Sequence, residues 1–288
     1  MKIVIIGSGG RLGAALTREC RDKFDVVGFN HAQLDLTNFE QVREKVTALD
    51  FDVLINCAAF TNVDLCETQR EQAFQINAEA PRVLAEICRE KKAKLIHFST
   101  DYVFDGEKRE PYTEDDVAKP ISVYGESKRE GEKLVLQTQD RHLVVRVSWV
   151  FGPDRPSFVD GVIKRARENE HVEAIADKFS TPTYTRDIAQ VLPQFFENDV
   201  SGLLHFANAG ECSWQEYAQF SLDCCRSLGI PLKAKTVGAL KLSDMKNWIA
   251  RRPVYSVLST TKYIAITGST PRGWRDAVGD YVREFVPR

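Results

Sequence analysis

Short apolar runs rich in valine and isoleucine alternate with longer amphipathic stretches through the first half of the chain. This alternation is typical of the strand, helix, strand units that build a parallel sheet. Apolar residues occupy consecutive positions in these runs, as expected for strands that helices cover on both faces. The pattern predicts strands at 2–6, 25–29, 53–57, 94–99 and 143–147, and helices at 11–21, 38–48, 79–91 and 122–137.

After Val150 the pattern changes, because prolines and glycines separate shorter elements of less regular order. This change predicts a smaller lobe over the carboxyl ends of the strands, where open α/β sheets bind ligands. The expected fold is therefore α/β, a doubly wound parallel Rossmann sheet with a smaller C-terminal substrate-binding lobe. We predict a dinucleotide-binding domain over 1–149 and a mainly substrate-binding lobe over 150–288, with a segment at about 183–200 returning to the first domain.

A glycine-rich turn joins the first predicted strand to the first predicted helix and places glycines at 7, 10 and 13. Without side chains, the backbone can turn tightly and approach a pyrophosphate, which then binds the free N–H groups at the start of the helix. A plain glycine-rich turn has the same composition, but the position at the first strand-to-helix junction favours dinucleotide binding. The predicted contacts are Gly7, Gly10, Arg11, Leu12 and Gly13.

The end of the second predicted strand bears on the choice of cofactor. An enzyme that prefers NAD usually has an acidic residue there to bind the ribose 2′-hydroxyl, whereas this chain has Asn30. With Arg11 nearby, a 2′-phosphate would meet positive charge, so the sequence favours NADPH, with NADH as the alternative. Asp35 is either a contact for the adenine edge or a turn cap before Thr37. The predicted contacts of this region are Asn30, Asp35 and Leu36.

Tyr124 and Lys128 are four residues apart and so share one face of a predicted helix. The pair alone would be an ordinary surface pair, but it follows the fourth predicted strand, whose end carries the hydroxyl of Thr100. Hydride transfer to a carbonyl carbon leaves negative charge on the oxygen, which must receive a proton. We expect Tyr124 to donate it, with its pKa lowered by Lys128 and by an oxidised nicotinamide ring. Thr100 would orient the carbonyl oxygen.

Composition excludes several other classes of protein. The net charge is −2, from 39 basic and 41 acidic residues without a long basic block, which argues against nucleic acid and anionic membranes as partners. Apolar runs stay well short of the roughly 20 residues of a membrane helix. The seven cysteines show neither Cys-x-x-Cys nor histidine at metal-ligand spacing, so we expect reduced thiols, a cytoplasmic location and no metal site.

Six strings extend these motifs over nearly the whole chain. They are DVLINCAAFTNVD (52–64), FSTDYVFDG (98–106), PISVYGESKREGE (120–132), VVRVSWVFG (144–152), STPTYTRDIA (180–189) and RRPVYSVLS (251–259). Together they resemble the dTDP-4-dehydrorhamnose reductase family, in the extended branch of the short-chain dehydrogenase/reductase superfamily. STDYVFDG followed by VYGxSKxxGE is quite specific to that family.

The resemblance implies roles for individual residues, and identifies Thr100, Tyr124 and Lys128 as the catalytic trio. It also implies that Ala58 and Ala59 lie at the cofactor. The remaining predicted cofactor contacts are Thr61, Asn77, Ser99, Tyr124 and Lys128. The predicted substrate contacts are Thr61, Val63, Thr100, Asp101, Tyr102, Trp149 and Arg252. Two of these have ordinary alternatives, because Trp149 could be a buried aromatic residue and Arg252 an exposed arginine.

By the same resemblance, the reaction is the NADPH-dependent reduction of a 4-keto-6-deoxy sugar on dTDP, the last step to dTDP-L-rhamnose. Composition and spacing alone predict only a ketone reductase. Tyr102 stands where related dehydratases carry a second acidic residue, which argues against elimination of water. Ala15 stands where some members place a metal-binding glutamate at a dimer interface, so we expect a monomer or a homodimer without a bridging metal.

Two alternatives remain open from the sequence. The first is a reductase or epimerase of another nucleotide sugar. The second is a non-catalytic regulatory subunit like the β subunit of methionine adenosyltransferase, which is similar to the same family and keeps the tyrosine and the lysine.

Overall fold

The structure is a computed structural model that describes residues 1–197 and 199–287. The strands, in chain order, are β1 (Lys2–Ile6), β2 (Asp25–Phe29), β3 (Val53–Asn56), β4 (Lys94–Thr100), β5 (Leu143–Val147), β6 (Val150–Phe151), β7 (Val172–Ile175), β8 (Phe179–Ser180), β9 (Thr183–Tyr184), β10 (Gly202–His205), β11 (Cys212–Ser213) and β12 (Val237–Leu240). The α-helices are α1 (Arg11–Arg21), α2 (Phe39–Thr47), α3 (Val63–Thr68), α4 (Arg70–Phe74), α5 (Ala80–Glu90), α6 (Val123–Thr138), α7 (Phe158–Glu168), α8 (Thr185–Glu197), α9 (Trp214–Ser227), α10 (Thr261–Thr267) and α11 (Trp274–Phe285). A π-helical turn, Gln75–Glu79, joins α4 to α5.

A parallel six-stranded sheet, in the order β10-β5-β4-β3-β1-β2, forms the centre of the molecule. Alternate residues of its inner strands supply two separate buried clusters. Ile5, Ile55 and Val145 pack on one face with α1 and α8. Leu54 and Val144 pack on the other face with α2, α5 and α6. The predicted doubly wound α/β fold is thus confirmed.

The elements beyond Val150 divide between two places. Strand β10 pairs with β5 at the edge of the parallel sheet, and α8 packs against the same sheet. Helices α7, α9 and α11 instead form a cluster of their own around buried aromatic side chains such as Tyr217 and Trp274. The boundaries predicted for the two domains stay a prediction.

The structure differs from the predicted elements mainly where the local pattern is weak. The prediction assigned no individual elements after Val150, where it expected shorter ones, although α7, α8, α9 and α11 have 11 to 14 residues. Before Val150 it lacked α3, α4 and the π-helical turn, because elements of five or six residues show too little periodicity to detect. Within the ranges that the structure describes, every helix is too short or too polar to cross a membrane.

Candidate active site

A cleft of about 1170 Å³ opens where β1, β3, β4 and β5 end, at their carboxyl ends. Most of the residues predicted from the sequence line it. On the predicted cofactor side these are Gly7, Gly10, Arg11, Leu12, Asn30, Asp35, Leu36, Ala58, Ala59 and Ser99. The predicted catalytic residues Thr100, Tyr124 and Lys128 line it as well, and so do the predicted substrate contacts Thr61, Val63, Asp101, Tyr102 and Trp149. Gly13, Asn77 and Arg252 lie outside this lining.

The glycine turn is shaped by positions that exclude a side chain. Gly7 has a φ of 81°, and a Cβ on it would lie 2.7 Å from the nitrogen of Ala58. A Cβ on Gly13 would lie 2.2 Å from the carbonyl oxygen of Gly7, so Gly13 lets α1 pack against the turn without lining the cleft itself. Gly10 is the N-cap of α1 and has no side chain to bind the first N–H groups. These groups are therefore left to bind a phosphate, and the turn fits a dinucleotide.

Arg11 extends from this turn to the loop after β6. Its guanidinium donates to the carbonyl oxygens of Val150 (3.2 Å), Arg155 (3.3 Å) and Pro156. In return, Arg155 Nε donates to the carbonyl oxygen of Gly9 at 3.0 Å, and Arg155 also lines the cleft. Sequence reasoning missed Arg155, because its approach to the glycine turn joins residues far apart in the chain and leaves no local pattern.

Asp35 performs the capping role that the sequence left open, and also lines the cleft. Its Oδ1 accepts hydrogen bonds from the backbone N–H of Thr37 (2.9 Å) and from its hydroxyl (2.8 Å). These bonds lower the pKa of Asp35 below its usual range. The carboxylate is thus held ionised at the wall of the cleft, and a contact with adenine stays a prediction.

Asn77, on the π-helical turn, joins the loop after β3 to α6. Its Oδ1 accepts from the N–H of Phe60 (2.8 Å), and its Nδ2 donates to the carbonyl oxygen of Phe60 (3.0 Å) and to the hydroxyl of Ser127 (3.0 Å). These hydrogen bonds hold the loop after β3 against α6. A cofactor contact for Asn77 stays a prediction.

Helix α6 presents Tyr124 and Lys128 to the cleft on one face, opposite Thr100 at the end of β4. Its N-cap is Ser122, whose hydroxyl accepts from the N–H of Gly125. A Cβ on Gly125 would lie 2.2 Å from the carbonyl oxygen of Tyr102, so α6 can pack this closely on the segment after β4 only with glycine there. Gly125 therefore sets the distance between α6 and the segment that follows β4.

The pKa of Tyr124 is raised, mainly because burial disfavours the phenolate, although a hydrogen bond with Thr100 acts in the opposite direction. The sequence argument expected a lower pKa, but it counted the charge of an oxidised nicotinamide ring and of Lys128. Burial also lowers the pKa of Lys128, to about 8. Lys128 Nζ donates to the carbonyl oxygen of Phe98 at 2.7 Å. The effect of burial on the pKa of Tyr124 is therefore larger than the lowering that the sequence argument expected from Lys128.

Asp101 is buried and holds Thr100 in place. The Thr100 hydroxyl donates to Asp101 Oδ1 at 3.1 Å. Asp101 Oδ2 accepts from the hydroxyls of Ser256 (2.5 Å), Ser148 (3.1 Å) and Ser180 (3.3 Å). These donors compensate a buried carboxylate for its lost hydration. They also join the end of β4 to the C-terminal part of the chain.

Aromatic rings form the wall on the predicted substrate side. Tyr102 packs edge-on against Tyr124, with ring centroids 5.7 Å apart. Trp149 is half-buried, stacks on Trp214 at 5.1 Å and also lines the cleft, so it is both a packed aromatic and an accessible one. Its φ of 44° is unusual for a residue with a side chain, and such strain concentrates at functional sites.

Arg252 is engaged in an ion pair outside the cleft lining. Its Nη2 lies 2.7 Å from Asp64 Oδ2, and its guanidinium stacks over Trp248 at 3.8 Å. The hydrogen bond from Arg252 is the main cause that lowers the pKa of Asp64, to about 2. A contact between Arg252 and a substrate diphosphate stays a prediction, and it would compete with Asp64.

Across residues 1–197 and 199–287, histidine, cysteine and acidic side chains form no group of three suited to hold a metal ion. The seven cysteines are free thiols. The polar side chains that line the cleft can transfer protons and form hydrogen bonds beside the glycine turn.

Comparison with known proteins agrees with this geometry. Residues 1–286 match the model of the RmlD substrate binding domain. A dTDP-4-dehydrorhamnose reductase of Mycolicibacterium smegmatis is 38% identical over 99% of this chain and 86% of its own. A probable dTDP-4,6-dihydroxy-2-methyloxan-3-one 4-ketoreductase of Streptomyces antibioticus is 36% identical over 100% of this chain and 95% of its own.

Among solved structures, a dTDP-4-dehydrorhamnose reductase from Bacillus anthracis in complex with NADP superimposes with a TM-score of 0.92. It is 31% identical, and the match covers 98% of this chain and 99% of that one. The family match and these full-length relatives are consistent with a cleft lined by the glycine turn and by Thr100, Tyr124 and Lys128. The chain therefore belongs to the family of the RmlD substrate binding domain, whose members are NAD(P)-dependent reductases of nucleotide-sugar 4-keto groups.

Proposed function

We propose that the protein reduces dTDP-4-dehydro-L-rhamnose to dTDP-L-rhamnose, with NADPH as the hydride donor. One observation carries the proposal: Thr100, Tyr124 and Lys128 line the same cleft as the glycine turn. A ketone placed between the turn and α6 would meet a hydride donor on one side and a proton donor on the other. The sequenced relatives named as dTDP-4-dehydrorhamnose reductases support this choice of substrate.

In this reaction, bound NADPH supplies the hydride that reduces the carbonyl carbon. Tyr124 supplies the proton to the carbonyl oxygen. Its raised pKa suits this direction, because a phenol that stays protonated at neutral pH enters the reaction as an acid. Thr100, whose hydroxyl donates to Asp101 in the structure, would orient the carbonyl oxygen beside Tyr124 by turning that hydrogen toward it. Lys128 restores the proton on Tyr124 after each reduction.

The substrate wall suits a 6-deoxy sugar. Val63, Tyr102 and Trp149 provide apolar surface for the sugar ring and its methyl group, and Thr61 provides a hydroxyl. Such a pocket discriminates weakly between sugars that differ by one apolar group. The ketoreductase of Streptomyces antibioticus, which is named for a different dTDP-linked ketone, makes a related keto sugar the second candidate substrate.

The preference for NADPH is supported by charge at the cofactor wall. Asn30 follows β2 where an acidic side chain would repel a 2′-phosphate, and Arg11 and Arg155 both line the cleft. The relative from Bacillus anthracis was solved with NADP. An alanine side chain cannot bind a metal ion, so Ala15, where some members place a metal-binding glutamate, supports a monomer or a homodimer without a bridging metal. The cytoplasmic location stays a prediction from the cysteine pattern.

The test is a panel of dTDP-, UDP- and GDP-linked 4-keto sugars, each assayed for oxidation of NADPH and of NADH. We expect the fastest oxidation with the dTDP-linked 6-deoxy ketone and NADPH, and we use Tyr124→Phe as the control for contaminating reductases. An epimerase would convert the sugar without net oxidation of cofactor. A regulatory subunit would turn over none of the sugars and would copurify with a larger catalytic partner. Either outcome would overturn the proposal.

A further inference from the structure

A chain of hydrogen bonds runs through the sheet beneath Lys128. The backbone N–H of Ala58 donates to Asn56 Oδ1 at 3.1 Å. Asn56 Nδ2 lies 3.1 Å from His97 Nδ1, and His97 Nε2 lies 3.3 Å from Lys128 Nζ. Lys128 Nζ in turn donates to the carbonyl oxygen of Phe98. Asn56 and His97 are 0% exposed and Lys128 is 2% exposed. We call these three side chains the Lys128 relay.

The direction of the relay is set at its Ala58 end. A backbone N–H can only donate, so the amide oxygen of Asn56 faces Ala58 and its NH₂ group faces His97. An amide NH₂ also only donates, so His97 Nδ1 must be the nitrogen without hydrogen. Burial lowers the pKa of His97 well below its usual value, which keeps the ring neutral. In a neutral ring the hydrogen is then on Nε2, which points it at Lys128.

We propose that Asn56 and His97 are positioning residues that favour the neutral amine of Lys128 over its ammonium form. A neutral amine has a lone pair, so it can accept from His97 Nε2–H while it donates to Phe98. An ammonium group has no lone pair and would face Nε2–H with an N–H of its own. If the hydrogen of His97 moved to Nδ1, Nε2 could accept from the ammonium group, but Nδ1–H would then face the NH₂ group of Asn56, which is also a donor. Protonation of Lys128 therefore leaves one buried donor without an acceptor.

The other titratable groups around Lys128 act against the relay. Tyr124 and Glu132 lie one turn before and after it on α6, and Cys57 follows β3. The charge of Glu132 and the thiol of Cys57 both raise the pKa of Lys128, although burial outweighs them. Glu132 also forms a buried ion pair with Arg146, at 2.7 Å, which compensates its charge. Burial and the relay thus favour the neutral amine of Lys128, whereas Glu132 and Cys57 favour its ammonium form.

The catalytic consequence rests on the proposed function. After Tyr124 gives its proton to the sugar oxygen, an Nζ–H bond of Lys128 breaks and the O–H bond of Tyr124 forms. Lys128 is left as the neutral amine that accepts from His97. Solvent in the cleft then returns a proton to Lys128 before the next reduction. The relay would make Lys128 release its proton more readily than an exposed lysine does.

The first test reads the tautomer of His97 in the wild-type protein, without cofactor or substrate. The full chain is labelled with ¹⁵N in its five histidines, and the His97 signals are assigned by their loss in His97→Phe. Above pH 8 we expect hydrogen on Nε2 and none on Nδ1. A hydrogen on Nδ1 would overturn the proposal. The tautomer is read in the wild-type protein, and His97→Phe serves only to assign the signals.

The second test follows the titration of Lys128 by NMR of protein labelled with ¹³C in lysine. In His97→Phe the midpoint should rise by about one pH unit or more, because the opposing N–H is gone. Burial alone predicts the opposite sign, since phenylalanine is more apolar than histidine. Asn56→Asp should also raise the midpoint, because a carboxylate accepts from both Ala58 and His97 and so reverses the relay.

His142→Phe is the matched control. His142 is also fully buried, but it accepts from the N–H of Leu95 and contacts the carbonyl oxygen of Ala85, away from Lys128. Its substitution should leave the Lys128 midpoint unchanged. An unchanged or lowered Lys128 midpoint in His97→Phe would refute the proposed role of the relay. These titrations need no turnover, so inactivity toward every keto sugar would refute the proposed function and leave the relay standing.

Discussion

A buried ion pair between Glu132 and Arg146 anchors the helix that carries Tyr124 and Lys128. Arg146 donates from Nε and Nη2 to the two oxygens of Glu132, each at 2.7 Å. The hydroxyl of Ser99 also donates to Glu132, at 2.6 Å. Glu132 and Arg146 are 0% and 1% exposed. This pair connects α6 to β4 and β5, so its loss should affect both stability and the position of Tyr124 and Lys128.

Glu132→Gln keeps the shape of the side chain but removes the charge that neutralises Arg146. Removing one partner of a buried ion pair costs about 3–5 kcal/mol, because the other charge stays buried without compensation. The amide oxygen of glutamine can still accept one hydrogen bond, so we expect the lower end, about 3 kcal/mol. A loss of this size lowers Tm by about 6–12 °C. Urea unfolding measures the change in the free energy of unfolding directly.

Glu130→Gln is the control on the same helix. Glu130 pairs with Lys133 at 2.9 Å, but both side chains are largely exposed, at 39% and 48%. An exposed pair contributes little, so this substitution should cost less than about 0.5 kcal/mol. Replacing Glu132 and Arg146 together with leucine and methionine should recover most of the lost stability, because no buried charge is then left unpaired. Equal losses for the two glutamine variants would refute the reasoning.

Four further predictions follow from the site. Tyr124→Phe should lower kcat at least about a hundredfold with little change in cofactor affinity, and an unchanged kcat would remove Tyr124 from its role. Lys128→Ala should lower kcat and weaken cofactor binding, whereas a loss of thermal stability alone would indicate a structural lysine. Gly13→Ala should abolish dinucleotide binding in a fluorescence titration, because its Cβ would lie 2.2 Å from the Gly7 carbonyl oxygen. The pKa of Asp64 is lowered to about 2, so its contribution to stability is present above about pH 4 and lost as pH falls toward 2. The difference in unfolding free energy between wild type and Asp64→Asn should therefore shrink over that window, and a constant difference would contradict the ion pair.

The parts of the fold that the sequence predicts are those with a local physical signature. Strands β1, β3 and β5 are buried and largely apolar because helices cover both faces of the sheet, whereas β2, at the sheet edge, is half-exposed. The glycine turn is visible because Gly7 and Gly13 stand at positions where a Cβ would collide with the backbone. Tyr124 and Lys128 are visible because four residues make one helical turn. In each case the structural requirement restricts residue types at positions close together in the sequence, so the sequence shows it.

The parts that sequence reasoning missed depend on residues far apart in the chain. Strand β10 is only four residues long and gains its place from pairing with β5. Arg155 reaches Gly9, and Arg252 pairs with Asp64, across more than half of the chain. The sign of the Tyr124 pKa shift also depends on burial by distant segments. The local sequence contains no pattern that predicts these long-range contacts, so only the three-dimensional structure reveals them.

Burial shifts the pKa values of Tyr124 and Lys128 in opposite directions, and the result favours proton transfer from the lysine to the tyrosine. It raises the pKa of Tyr124, whose charged form is an anion, and lowers the pKa of Lys128, whose charged form is a cation. The site therefore favours the neutral pair, a phenol beside an amine, over the charged pair, a phenolate beside an ammonium group. In water this preference would be weaker. Transfer of a proton from Lys128 to the Tyr124 phenolate becomes downhill for this reason. In the proposed reaction, such a site regenerates its proton donor after each reduction, and His97 Nε2–H can donate to the neutral amine that remains.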